Sequence, residues 1–243
     1  MSNLRADGSL YQTPALDDIT GATAEDQANK AIGAGVGVMM FGQETVAEIV
    51  SGRIAAKALD VDADLGFTAS SVVVKAGHIP DTADFGLGGA IAVHLAKTSA
   101  NAVIGKNASY YIGSGSVNVA SVGSGNYVTV GDASGKRTRR SFSVAGIQIP
   151  LAPANSFTSS STGIGAGIAV GLTGIDVTAM IEDGVRFGGS PLQSLTVIAD
   201  YTGKEHVEAA AGAAGGRAIV PVLALSVSGL ATEAYLSLSL IHI

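Results

Sequence analysis

The chain has 243 residues and a mass of 24.1 kDa, so small side chains dominate, and Gly alone fills 33 positions. Charged residues are 14%, aromatics 5% and mean hydropathy +0.40, which excludes a typical disordered chain and a coiled coil. The net charge of −6 leaves no electrostatic footprint for nucleic acid, and the lack of cysteine excludes disulfide staples and thiolate metal sites.

In chain order, residues 1–31 read as a lead-in segment or partial coil. The opening MSNLRADGSLYQ lacks the apolar core of a secretion signal. The chain is therefore expected to be either non-secreted or an internal piece of something longer. Within the lead-in, 18–32 carries helix signals: Thr20 or Thr23 as N-cap, Glu25 near the start and Gly33 after the end. No run of about 18 apolar residues occurs anywhere, so no membrane-spanning helix is expected.

A 17-residue unit begins at Gly33 as GAGVGVMMFGQETVAEI, and returns at Gly88 as GGAIAVHLAKTSANAVI. It returns again at Gly165 as GAGIAVGLTGIDVTAMI and, more loosely, at Val220 as VPVLALSVSGLATEAYL. The starts are 55, 77 and 55 residues apart. Ala47, Ala102, Ala179 and Ala234 fall at one position of the unit; Ile49, Ile104, Ile181 and Leu236 fall at another. Alternation of small and branched residues predicts strands. Leu172–Asp176 has turn chemistry, so each unit reads as strand, turn, strand. Between the units lie further strand-like segments rich in Val, Ile and Thr: 71–75, 116–119, 127–130, 142–147 and 195–198. Residues 154–163 read as a loop, and 205–214 as a strand or irregular corner despite their alanines.

The offsets divide into steps of about 26–27 residues, a period in the range of solenoids. The predicted fold is therefore an all-β parallel β-solenoid (β-helix) fragment of roughly nine coils with little helix, spanning 32–237. Small residues suit the inward face of a narrow solenoid. Residues 238–243 (LSLIHI) match the in-frame translation of a sequencing adapter and are set apart as an artefact.

Few residues offer chemistry. Asp60, Asp62 and Asp64 alternate along LDVDADLG, which on a strand puts three carboxylates on one face. Oxygen ligands in a row suit Ca²⁺, the one cofactor weighed; the solvated acidic face is the alternative reading. An EF-hand fails because Leu65 and Ser71 stand where Gly and Glu are needed. The triplets Gly33-Gly35-Gly37 and Gly163-Gly165-Gly167 lie in strand-like segments, so they read as packing glycines and not as a phosphate loop. Gly131–Thr138 is one residue short of a Walker A loop, with Arg137 at the Mg²⁺-binding position. Lys136, Arg137, Arg139 and Arg140 form the basic cluster, read as a solvated turn. The four histidines, His78, His94, His206 and His242, show no metal-ligand spacing. No catalytic or cofactor-binding residue is assigned.

The run Gly163–Val185, followed by Leu195–Thr202 and Glu208–Leu236, resembles the repeat region of large bacterial filamentous adhesins, the leukotoxin-type and haemagglutinin-like exoproteins with β-strand repeats. The resemblance covers roughly 32–236. It implies an extracellular or cell-surface location and a non-enzymatic shaft that presents a repetitive surface for adhesion or biofilm. It also implies glycans or proteins of host or neighbouring cells as partners, and continuation into further repeats. A polysaccharide-active β-helix enzyme and a tail-fibre-like structural protein are the alternatives. The enzyme reading needs Asp60, Asp62, Asp64, Asp176, Glu182 and Asp183 to share a groove.

Overall fold

The computed structural model describes residues 30–75, 85–112, 115–133, 141–144, 147–150, 162–189, 191–212 and 217–237. Among them there is no helix. The strands are β1 (Lys30–Ala56), β2 (Leu59–Gly66), β3 (Ser70–Lys75), β4 (Phe85–Ile112), β5 (Ser116–Ala133), β6 (Ser141–Val144), β7 (Ile147–Pro150), β8 (Thr162–Ile181), β9 (Arg186–Gly188), β10 (Ser194–Ala211), β11 (Arg217–Ile219) and β12 (Val222–Leu236). The helix expected over 18–32 falls on residues outside the description as far as 29; Lys30 to Ile32 already belong to β1. The basic cluster at 136–140 and residues 238–243 also lie outside the described residues.

The chain alternates between two parallel sheets. The first is ordered β1-β4-β8-β12, with β9 beside β4 and β11 beside β8. The second is β10-β5-β2, with β3 also on β5. The pairing register is the repeat register of the sequence. Gly33 pairs with Gly88 and Gly88 with Gly165, and Val222 pairs with Gly167. Ala47, Ala102, Ala179 and Ala234 form one continuous column, as do Ile49, Ile104, Ile181 and Leu236. Parallel in-register pairing forces this: stacked strands need side chains of similar size at equal heights.

Two expectations are corrected. β8 runs unbroken from Thr162 to Ile181, so Leu172–Asp176 is strand and not a turn. Both of its neighbours pair through this stretch, Lys97 and Gly229 flanking Gly174. A ladder on each side satisfies the backbone and overrides local turn propensity. The steps of about 27 residues are not coils either. They mark the crossing from one sheet to the other, so the described residues stack four strands deep in the first sheet and three in the second, not nine. Adjacent layers are separated by 55 to 78 residues. A turn at Asp183-Gly184 follows β8, with Gly184 at φ 78°. Residues 205–211 continue β10 as strand.

The interior lies between the sheets and tapers. At the wide end Ala102, Ile104, Ala179 and Ile181 of the first sheet pack on Val61, Val117 and Val119 of the second. Tyr110 is fully buried there and stacks on Phe187 at 5.5 Å. In the middle Phe41, Phe67 and Tyr127 form an aromatic cluster, with Phe41–Phe67 centroids 4.9 Å apart. At the narrow end the sheets meet backbone to backbone. A Cβ on Gly165 would strike the Gly212 carbonyl oxygen, and one on Gly167 the Ala210 carbonyl oxygen. Glycine is needed there because nothing larger fits.

Candidate functional site

Asp60, Asp62 and Asp64 all point outward from β2, because Val61, Ala63 and Leu65 between them are buried. The expected shared face is therefore real. Alternate residues on a strand are about 6.8 Å apart, too far for three carboxylates to close on one ion without help. Asp62 accepts a hydrogen bond from the Asn118 side-chain amide at 3.3 Å. Among the described residues no group of three or more His, Cys, Asp or Glu is arranged to hold a metal. Replacing all three aspartates with asparagine is expected to leave stability within about 0.5 kcal/mol, with any gain confined to low salt, where a row of like charges repels most. Urea midpoints at two ionic strengths check this.

The carboxylates named for an enzyme groove do not converge. Asp60, Asp62 and Asp64 face outward on the second sheet. Asp176 faces outward on the first, and its Oδ1 accepts a hydrogen bond from the Thr178 hydroxyl at 2.9 Å. Glu182 sits after β8 and accepts the Lys106 backbone N–H at 2.9 Å. Asp183 occupies the adjacent turn.

Sequence reasoning missed a polar row inside the core. His94 lies inward on β4, opposite Ser70 of β3, with Oγ and Nε2 2.9 Å apart. Both side chains are buried, His94 completely. The pair has the spacing of a nucleophile and its base. It lacks the rest of such a site: His94 Nδ1 has no partner to orient the ring, and Ser70 is sealed from solvent. Burial lowers the His94 pKa to about 4. Four residues further along β4, the Thr98 hydroxyl lies 3.0 Å from that of Tyr127, the β5 register partner of Ser70. In the next layer the Thr173 hydroxyl is 3.3 Å from the Glu205 carboxylate and 2.9 Å from the Ser228 hydroxyl. On the second sheet these contacts share one column, Ser70-Tyr127-Glu205, while on the first they fall at different positions along β4 and β8. The missed signal was the strand phase: His94 shares its parity with Ala90, Ala92 and Ala102, and parity sets the inward face.

The most distinctive surface is the outer face of the first sheet. Three adjacent columns there are apolar in every strand. They run Val36-Ile91-Ile168-Leu223, Val38-Val93-Val170-Leu225 and Met40-Leu95-Leu172-Val227. Eight of the twelve are 37–76% exposed. A shallow depression crosses all four strands beside Met40, Leu95, Leu172 and Val227, where Gly42 and Gly174 leave the backbone uncovered. The outer face of the second sheet is more polar, although Val122 and Ile198 are exposed on it. Asn118 and Thr196 stand in register with Asp60, and Asp200 with Asp64. The two outer faces therefore differ in degree: three contiguous apolar columns on the first, an acidic row with isolated apolar residues on the second. No helix among the described residues is long and apolar enough to cross a membrane. No protein-family model, curated protein or solved structure matches this chain.

Proposed function

We propose that this chain is a non-enzymatic shaft segment of a bacterial surface adhesin, built as a two-sheet parallel β-solenoid. One observation carries the reading: four matched units lie in register as neighbouring strands, each separated from the next by a pass through the opposite sheet. A chain wound this way gains length by adding layers, and its stability is a sum over neighbours. Among the described residues β1 and β12 each have one strand neighbour in the first sheet, so both offer open ladders to further repeats of the same chain. The scattered carboxylates and the sealed Ser70–His94 pair weigh against the polysaccharide-active alternative.

The role is mechanical. Stacked layers hold a binding tip away from a cell and repeat the same face along the shaft. Weak contacts to glycans or proteins of host or neighbouring cells then add through multivalency. The test compares the full chain, free and coupled at high density to beads, against a panel of cell-surface glycans and whole cells. Binding by the beads that the free chain shows only weakly is the expected result. Release of reducing ends from a polysaccharide panel overturns the proposal, and so does failure of the beads to bind anything.

A further inference from the structure

The apolar columns on the outer face of the first sheet need a cover. We infer that two copies of this chain pack face to face through that patch, outer sheet on outer sheet. The inference goes beyond the adhesion reading and does not depend on it.

Three observations select a second copy. The first is area. Eight strongly exposed apolar side chains leave on the order of 800 Å² of accessible surface, the share that one partner gives to a standard interface. That is more than the few hundred Å² a monomer ordinarily exposes in one patch. The second is the contrast between the outer faces. Pairing through the first sheet leaves the polar faces carrying Asp60, Asp62 and Asp64 toward water on both sides.

The third is self-complementarity. All strands of the first sheet run parallel, and each apolar column keeps its character from β1 to β12. A two-fold axis along the strands lays β4 over β8 of the second copy and β1 over β12 of the second copy. Every apolar column then meets its own kind at the sheet-on-sheet spacing of about 10 Å. The same operation sets Lys97 opposite Gly174 of the second copy and beside Asp176 of the second copy; further along the strands Glu44 and Glu48 meet Glu233 of the second copy, so area and column matching, not charge, select the pairing. Closed pairing of this kind is isologous, as in most soluble dimers.

The geometry makes a pair-specific test available. Val38 and Leu225 lie on the two outermost strands of one copy, three strands apart, yet Val38 faces Leu225 of the second copy. Both are exposed, at 61% and 44%, so substitution leaves the fold intact, which circular dichroism verifies. Sedimentation velocity on the full chain should show a concentration-dependent dimer. Val38→Lys should weaken it at least about tenfold by burying an unpaired charge. Adding Leu225→Glu to that variant should recover most of the association, since the new charges meet only between copies. The inference is overturned if the native chain is monomeric at every concentration. It is also overturned if Val38→Lys leaves the dimer unchanged, which would point to strand-edge pairing. Flotation of the native chain with zwitterionic vesicles in place of dimerisation overturns it in favour of a lipid surface.

Discussion

Gly167→Ala is expected to cost about 3 kcal/mol or more, while Gly89→Ala is expected to cost nothing. The two glycines lie on adjacent strands of one sheet, but on opposite faces. Gly167 points inward at the narrow end, and an added methyl group would meet the Ala210 carbonyl oxygen and carbon of the facing sheet. That obstacle is backbone held in a ladder to β5, with Ala210 paired to Asp132. It cannot rotate away as a side chain can, so the sheets must part locally and lose packing along their length. Gly89 points outward, with nothing within 4 Å of the added carbon. Alanine there only restricts the unfolded chain and is neutral or stabilising by up to about 1 kcal/mol. Thermal melts of the two variants should shift in different directions. Equal melting temperatures for Gly167→Ala and the native chain would contradict the tapered interior.

Lowering the pH from 7.5 to 5 is expected to remove roughly 2 kcal/mol of stability through His94 alone. Folding depresses this group to about 4 from an ordinary 6.5, because the ring is desolvated. Between those values the unfolded chain binds a proton that the folded chain refuses. Stability therefore falls as pH drops through this window, and the loss is complete once both states are protonated. The groups around the ring do not offset the charge. Ser70 hydrogen-bonds Nε2, and the neutral Tyr127 ring packs edge-on at 5.8 Å. His94→Gln keeps a polar partner for Ser70 and removes the titration. Its urea midpoint should be nearly flat from pH 7.5 to 5, while that of the native chain slopes. Parallel slopes for the two proteins would remove His94 as the cause.

The register of the fold was legible in the sequence because parallel stacking copies itself into the spacing of residues. Ala47, Ala102, Ala179 and Ala234 could be aligned by eye, and they are neighbours in space. What the sequence concealed was which part of the spacing meant what. The half-step near 27 marks a change of sheet, and only pairing partners distinguish that from a new coil. Turn-like residues such as Gly174 and Asp176 were absorbed into β8, since ladders on two sides outweigh a local preference. The acidic row was placed on the right face by simple alternation. The Ser70–His94 contact was not legible, because it joins different sheets across 24 residues and no local pattern links them. The apolar outer columns were legible in principle. Val36, Val38 and Met40 are apolar at the phase opposite to the small inward residues. Alternation normally sets apolar against polar, and here it sets large apolar against small.

The unequal offset of 77 has its own consequence. From the start of β5 to the start of β8 the chain spends 46 residues, against 26 from β2 to β4 and 23 from β10 to β11. The surplus holds the antiparallel β6–β7 hairpin, and Gly88 still meets Gly165 across it. The extra length at this crossing leaves the phase of the rungs unchanged. One residue spliced into the middle of β8 turns the rest of that strand inside out unless a bulge absorbs it, as one does between β1 and β4 at Ile49–Ser51. Length is therefore free to vary between rungs, while along a rail each added residue needs a bulge to restore the phase.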